Sequence, residues 1–257
     1  GIESHLKPGT VRADSYDLFA PVYERHWTQT SQSFTSAVAL LLLPRLKSGA
    51  WLLDLCCGTG ILAADLQDGG VDVIGLDGSL AMLERAKRTA PGVPFVQGDA
   101  RRFAFRPVFD AVVCMFDSLN HMMTTDELNA AFRHVHDCLV PGGWFLFDLN
   151  TEIAYLRHWN GSHRIVDADM SVTCSSGYDP RKRRGVFELR IEHASQNSAG
   201  ETEKVMLSQR CHSYPEISSA LEGSGLILTS RYAFEQGACV SVPSPDAERV
   251  FYLCRRL

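Results

Sequence analysis

The sequence predicts an α/β protein with a doubly wound, seven-stranded, mostly parallel sheet and a small antiparallel β-sheet inserted as a lid. Three observations predict this fold. Residues 1–150 alternate short apolar runs with helical patterns, residues 151–212 carry alternating strands, and residues 213–257 return to a helix and two apolar runs. Apolar runs separated by helices are typical of parallel strands that are covered on both faces and joined by right-handed crossovers.

Seven apolar runs supply the predicted main sheet. They lie at residues 51–55, 71–76, 93–96, 109–115, 144–149, 226–234 and 249–255. Hydrophobic residues at helical spacing predict helices between these runs at residues 61–66, 79–89, 124–139 and 215–221, and two more before the first run at residues 15–27 and 33–46. Ser79 is a candidate N-cap, and Thr124 with Glu127 forms a capping-box pattern, so two helix starts are well defined.

The predicted lid is antiparallel. Its strands are expected at residues 165–173, 186–193 and 204–212, and the Gly177-Tyr-Asp-Pro180 stretch predicts a hairpin turn between the first two. We therefore assign residues 1–150 and 213–257 to a main domain that includes the N-terminal helices, and residues 151–212 to the inserted sheet.

Composition narrows the class of protein. The 257 residues carry 25 Lys+Arg against 30 Asp+Glu, a net charge of -5, and 45% of them are hydrophobic, which is typical of a soluble globular protein. The mild acidity argues against a nucleic-acid partner, and the apolar run at residues 37–43 is too short to span a membrane. The first residues show no secretory pattern, and eight cysteines without a C-x-x-C pair indicate reduced thiols, so a cytoplasmic location is expected.

Polar side chains follow three of the predicted strands. Asp54 opens a loop with Gly58 and Gly60, Asp77 ends the second strand 17 residues beyond Gly60, and Asp99 ends the third. Ligands of open parallel sheets bind at the carboxyl ends of the strands. Each residue alone also fits a turn or a helix cap, but acidic groups on successive strand ends around a glycine loop suit a ligand with a nucleoside and a positive charge. They suit a pyrophosphate poorly.

These motifs resemble those of the class I S-adenosylmethionine-dependent methyltransferases. The resemblance covers nearly the whole chain and is carried by residues 52–60 (LLDLCCGTG), 75–83, 98–101, 109–114 and 139–147. Residues 16–23, residues 117–121 and the inserted sheet resemble the small-molecule branch, which includes amino-sugar N-methyltransferases. Cys56 stands where the family usually has its first glycine, a departure that argues against a positive φ there.

The resemblance implies a Rossmann-like methyltransferase fold, with S-adenosyl-L-methionine as cofactor and S-adenosyl-L-homocysteine as product. It implies that Asp77 binds the ribose, that Asp99 and Ala100 bind the adenine beside Met82, and that the glycine loop lies beside the methionine part. It also implies that Tyr16 and Tyr23 close over the cofactor. The full set of expected cofactor-binding residues is Tyr16, Tyr23, Asp54, Cys56, Gly58, Thr59, Gly60, Asp77, Gly78, Met82, Asp99, Ala100, Arg101, Cys114 and Met115.

Methyl transfer from a sulfonium is an in-line displacement that depends mainly on alignment, and a base is needed only when the nucleophile carries a proton. His121 follows the fourth strand and is the candidate base, and Asn120 is the candidate for orienting the acceptor. No metal is expected, because His134 and His136 are two apart on a helix and face different sides.

Several alternatives stay open. The acceptor is expected to be a small molecule, with nitrogen and oxygen both possible as the atom methylated, and edge strands could pair in a homodimer. Gly58, Gly60 and Ala63 also fit the G-x-G-x-x-A fingerprint, which favours an NAD(P)-dependent oxidoreductase. A non-catalytic protein that binds S-adenosylmethionine is the third possibility.

Overall fold

The computed structural model describes residues 13–27, 31–193, 202–241 and 243–257. Helices α1 (Ala13–His26) and α2 (Ser31–Leu41) come first, as predicted. The later helices are α3 (Ile61–Asp68), α4 (Leu80–Thr89), α5 (Thr125–Cys138), α6 (Glu152–His158) and α7 (Tyr214–Ser224), with short 3-10 turns at Leu43–Arg45 and Ser118–His121.

The main sheet has eight strands rather than seven. They are β1 (Trp51–Leu55), β2 (Asp72–Asp77), β3 (Phe95–Gln97), β4 (Phe109–Cys114), β5 (Leu139–Asn150), β10 (Leu226–Glu235), β11 (Ala238–Val240) and β12 (Arg249–Arg256), in the order β11-β10-β12-β5-β4-β1-β2-β3. The extra strand is β11, a three-residue return that pairs only with β10. A run this short gives no periodic signal. The doubly wound, mostly parallel sheet itself is confirmed, with β1 to β5 parallel to one another.

A separate antiparallel sheet follows β5, as predicted. Its strands are β6 (Ser162–Val166), β7 (Met170–Asp179), β8 (Arg184–His193) and β9 (Thr202–Arg210), paired in that order. The single strand predicted at residues 165–173 is wrong, because the chain reverses there and Asp167 N–H donates to the carbonyl of Met170 at 2.8 Å. The domain boundaries at residues 150 and 212 stay a prediction.

Helices cover both faces of the main sheet because its strands are apolar on both sides. Leu53 and Val112 pack toward α5 and α7, whereas Leu52 and Val113 pack toward α2 and α3. Helices α4 and α5 begin at their predicted capping residues. The Ser79 side chain accepts from Met82 N–H, and the Thr124 side chain accepts from Glu127 N–H.

Helix α1 lies between the two sheets. Its buried Phe19 and Val22 pack with Met82 of α4 on one side and with Val172 and Leu189 of the second sheet on the other. The N-terminal helix is therefore what joins the lid to the region around α4, and it carries Tyr16 and Tyr23. None of the helices described is long and apolar enough to span a membrane.

Candidate functional site

The loop after β1 is held in a left-handed backbone. Cys56, Gly58 and Gly60 have φ of 60°, 54° and 78°. The expectation that Cys56 avoids a positive φ is therefore wrong. The turn is set by Cys57 N–H, which donates to the Leu76 carbonyl of the neighbouring strand at 3.0 Å, so Cys56 takes up the left-handed conformation that a glycine would adopt at lower cost.

Asp77 is fixed by backbone donors from two sides. One carboxylate oxygen accepts from Gly58 N–H at 2.9 Å and the other from Ser79 N–H at 2.8 Å. Desolvation raises the pKa of Asp77, and these hydrogen bonds oppose the rise. Each oxygen keeps a further lone pair, so the side chain can accept two neighbouring hydroxyls.

Asp54 lies deeper in the same wall. Its side chain is 2% exposed, and its Oδ2 has no hydrogen-bond partner among the described residues. Burial, with a smaller contribution from the charge of Asp77, raises the pKa of Asp54 to about 8. A buried carboxylate without a partner is costly, which makes this atom a ready acceptor for a cationic group.

Asp99 forms the opposite rim. Arg101 holds it through an Nη2–Oδ2 contact of 2.7 Å and reaches Glu127 Oε1 with its Nη1 at 2.8 Å. The hydrogen bonds from Arg101 lower the pKa of Asp99 to about 2. Arg101 therefore orients a rim carboxylate that stays ionised.

These groups line one cavity of about 430 Å³, within the range of small-molecule sites. The predicted residues that line it are Tyr16, Tyr23, Asp54, Cys56, Gly58, Thr59, Asp77, Gly78, Met82, Asp99, Ala100, Arg101, Met115 and His121. Residues that the sequence did not single out as ligand-binding are Cys57, Ile61, Leu62, Ser79, Gln97, Gly98, Phe116, Ser118 and Met122. Most of them adjoin a predicted residue along the chain, so wider motif windows would have included them.

Two of the predicted cofactor-binding residues lie outside the cavity wall. A Cβ on Gly60 would stand 2.9 Å from Ala86 Cβ, so this glycine permits close packing against α4 rather than close approach to a ligand. Cys114 is fully buried, and the neighbouring Cys56 thiol together with burial raises the pKa of its own thiol. Both residues support the wall from behind.

His121 and Tyr16 form a hydrogen-bonded pair at the end of the cavity. His121 Nδ1 lies 3.0 Å from the Ser208 carbonyl, which can only accept, so Nδ1 carries the proton. Nε2 is then the acceptor, and the Tyr16 hydroxyl lies 2.6 Å from it. Burial lowers the pKa of His121 and raises the pKa of Tyr16, so both are neutral near pH 7.

The interpretation of Asn120 as a group that orients the acceptor does not fit its contacts. The side chain is fully buried; its Nδ2 donates to the Arg210 carbonyl at 3.0 Å, and its Oδ1 accepts from Asn150 N–H at 3.0 Å. It ties the turn after β4 to β5 and β9. Asn120 therefore positions its neighbour His121 through the backbone.

A charged network beside this pair was not predicted. Asp117 accepts from Arg249 Nη2 at 2.9 Å and from Gln209 Nε2 at 2.6 Å, and Arg249 also pairs with the buried Asp148. Phe116 and Asp117 have φ of 66° and 45°, a strained conformation for residues with side chains. Sequence patterns could not reveal this charged network, because its members are up to 132 positions apart.

A second, larger space adjoins the cavity. This acceptor cleft, as we name it, has about 1570 Å³ and lies between the main sheet, α1 and the lid. Tyr16, Tyr23, Phe116 and His121 line both spaces. A group bound in the cavity and a molecule bound in the cleft would therefore meet at the Tyr16–His121 pair. Among the described residues, no three metal-binding side chains cluster.

Part of the chain is similar in sequence to known proteins. Residues 52–143 match the family described as "Methyltransferase domain". The dTDP-3-amino-3,4,6-trideoxy-alpha-D-glucopyranose N,N-dimethyltransferase of Streptomyces venezuelae is 36% identical over 131 residues, 51% of this chain and 54% of that protein. The dTDP-4-amino-2,3,4,6-tetradeoxy-D-glucose N,N-dimethyltransferase of Saccharopolyspora spinosa is 34% identical over 155 residues, 60% and 57% of the two chains. The chain thus spans little more than half the length of these curated relatives.

Solved structures share the fold over nearly the full length. An S-adenosylmethionine-dependent methyltransferase from Clostridium acetobutylicum superposes with a TM-score of 0.76 at 20% identity, covering 94% of this chain and 98% of the other. A sugar N-methyltransferase from Streptoalloteichus gives a TM-score of 0.72 at 21% identity, covering 100% and 99%. At this identity the likeness concerns the fold.

Proposed function

We propose that this protein transfers a methyl group from S-adenosyl-L-methionine to a nitrogen of a small-molecule acceptor, as the match of residues 52–143 to the family described as "Methyltransferase domain" supports. The main observation behind the proposal is that the cavity and the acceptor cleft meet at Tyr16 and His121. Three acidic strand ends line the cavity, and the acceptor cleft is open to the lid. The two curated relatives from Streptomyces venezuelae and Saccharopolyspora spinosa are N,N-dimethyltransferases by name, which supports nitrogen as the atom methylated.

The residues of the cavity fit the cofactor. Asp77 would accept the ribose hydroxyls, the Asp99 rim with Ala100 and Met82 would hold the adenine, and the unpartnered Oδ2 of Asp54 would face the methionine ammonium. The bound cofactor supplies an electrophilic methyl group on a positively charged sulfur. The acidic wall stabilises that overall charge, whereas a pyrophosphate would be repelled by it.

Tyr16 and His121 would handle the acceptor's proton. His121 Nε2 is the basic atom at the junction, and the Tyr16 hydroxyl, 2.6 Å from it, would relay the proton of the acceptor nitrogen to it. A proton released by the nitrogen can pass to the Tyr16 oxygen as Tyr16 gives its own proton to Nε2. The nitrogen lone pair is then free for in-line attack, and aromatic residues around the junction exclude water.

The alternatives differ in which ligand they need. An NAD(P)-dependent oxidoreductase would require a pyrophosphate at the glycine loop, where Asp54 and Asp77 lie. Thermal unfolding with S-adenosylhomocysteine and with NAD separates the two functions: we expect stabilisation by the first only. Stabilisation by NAD alone would refute the proposal.

Turnover distinguishes an enzyme from a non-catalytic binding protein. In a screen of amino sugars and other amines with isotopically labelled cofactor, we expect methylated amine as the product. His121→Gln should lower kcat by about 10²-fold or more, the usual scale of general base catalysis. His193→Gln is the matched control, because His193 lies at an exposed end of β8. Unchanged kcat in His121→Gln would show that alignment alone suffices.

We also propose a cytoplasmic location, since all eight cysteines are free. A homodimer is proposed from the edge strands of the two sheets, and light scattering after size-exclusion chromatography would show its mass or refute it.

A further inference from the structure

Granting methyl transfer to nitrogen, on which this inference rests, we propose that the acceptor is a phosphate-free amine with a bulky, largely apolar body. Acceptors linked to a nucleoside diphosphate would be excluded. This substrate class differs from the dTDP-linked sugars in the names of the two curated relatives from Streptomyces venezuelae and Saccharopolyspora spinosa. The charges and the side chains of the acceptor cleft both lead to it.

Arginines of the acceptor cleft are already neutralised by carboxylates. Arg249 pairs with Asp117 and Asp148. Arg157 pairs with Glu248 at 3.0 Å and lies 3.8 Å from Asp246. A diphosphate needs cationic groups or backbone N–H donors that are available to it, as in phosphate-binding sites in general.

Carboxylates outnumber guanidinium groups along the cleft. Its described lining contains Asp117, Glu235, Asp246 and Glu248 against Arg157 and Arg249, and no lysine. The His158 ring also contacts Glu248, at 2.9 Å. Like charges at hydrogen-bonding distances repel, and they repel more strongly near a protein surface than in water. A diphosphate in this cleft would therefore be repelled rather than held, whereas an amine would be attracted.

Aromatic side chains form two walls of the cleft. On the lid side, Phe187 lies edge-on to Trp27 with ring centroids 6.5 Å apart, and Trp159 lies 6.1 Å from the same ring. On the side of the main sheet, Phe34 stacks on Phe116 at 3.9 Å. Such walls bind aromatic rings or the apolar faces of sugars.

The size and position of the cleft fit a large acceptor. Its volume of about 1570 Å³ exceeds the usual 300–1,000 Å³ of small-molecule sites. An amine at the Tyr16–His121 junction leaves the rest of the acceptor in this space. Arg157, Glu248 and Asp246 line the cleft but not the cavity, so a diphosphate on such an acceptor would share the cleft with these paired charges.

Two measurements test the substrate class. First, thymidine 5′-diphosphate is titrated into protein saturated with S-adenosylhomocysteine, and we expect no binding up to millimolar concentration. Second, a double variant, Asp246→Asn with Glu248→Gln, releases Arg157 and His158, and we expect thymidine 5′-diphosphate to bind it at least about tenfold more tightly. The double variant Asp68→Asn with Asp72→Asn makes the same charge change at exposed positions outside the cleft, and we expect no gain.

Turnover is an independent test of the substrate class. One amino sugar is offered as its phenyl glycoside and as its thymidine diphosphate derivative, and we expect kcat/KM to be at least about tenfold higher for the glycoside. Tight binding of thymidine 5′-diphosphate to the unmodified protein, faster turnover of the nucleotide-linked sugar, or no gain in the cleft variant would each overturn the inference. If no amine is methylated at all, the proposed function fails, and the titrations still decide whether the cleft admits a diphosphate.

Discussion

We expect cofactor binding to depend on pH through Asp54. In the free protein, burial raises the pKa of this side chain to about 8, and its Oδ2 has no partner among the described residues. If the carboxylate must ionise to hold an ammonium group, binding releases a proton below pH 8. Each pH unit of that deprotonation costs ~1.4 kcal/mol. Affinity for S-adenosylhomocysteine should therefore rise about tenfold per unit well below pH 8, and about 50-fold from pH 6 to pH 8, where half of the side chain is ionised.

Titration calorimetry in buffers of different ionisation enthalpy measures both the affinity and the proton released. The ligand control is 5′-methylthioadenosine, which has the ribose and adenine but lacks the ammonium, and its affinity should stay flat. Asp54→Asn should remove the slope for S-adenosylhomocysteine and leave it bound as weakly as at low pH. An equal slope for both ligands, or none for S-adenosylhomocysteine, would refute the assignment of Asp54.

The same pKa has a consequence for stability. Because the pKa of folded Asp54 lies above its unfolded value of 3.8, its contribution to stability is fully present below about pH 4 and is lost as pH rises toward 8. The free energy of unfolding of the ligand-free protein should fall over this range, and Asp54→Asn should reduce that fall.

Three further predictions concern single residues. Asp77→Asn places an amide group against one of two backbone N–H donors, so affinity for both S-adenosylhomocysteine and 5′-methylthioadenosine should drop at least about tenfold in calorimetry. Gly60→Ala should lower the free energy of unfolding in urea by ~2 kcal/mol or more, because φ is 78° and the Cβ would clash with α4; Gly49→Ala, in open space, should cost only ~1 kcal/mol. Ser213→Ala removes a capping box and should cost ~1 kcal/mol by the same assay, whereas exposed Ser219→Ala should be nearly neutral.

Local patterns carried most of what the sequence could predict. Asp77 and Asp99 are predictable because each lies at the carboxyl end of an apolar run, and the ends of parallel strands meet at one edge. Ser79 was identified as a helix cap from its immediate neighbours. Such features depend on residues a few positions apart, so the sequence displays them.

What could not be predicted depends on contacts between distant segments. Asn120 was interpreted as facing the acceptor because nothing near it in the chain shows that Arg210 and Asn150 take up its amide. The positive φ of Cys56 is set by the β2 carbonyl that fixes the next residue. Arg249 and Gln209 reach Asp117 only because the lid and the last strand fold back over the turn after β4.

Helix α1 makes polar contacts both with the region around α4 and with the lid. Asp17 accepts from Ser79 Oγ and from Ala81 N–H beside α4, while Arg25 and His26 pair with Asp167 of the β6–β7 turn in the lid. A movement of the lid would therefore displace the helix that carries Tyr16. Under the proposed function, escape of methylated product from the cleft and exchange of the spent cofactor would then share one kinetic barrier. Loosening the lid contacts should accelerate both dissociation rates together, and turnover should follow whichever of these steps limits the cycle.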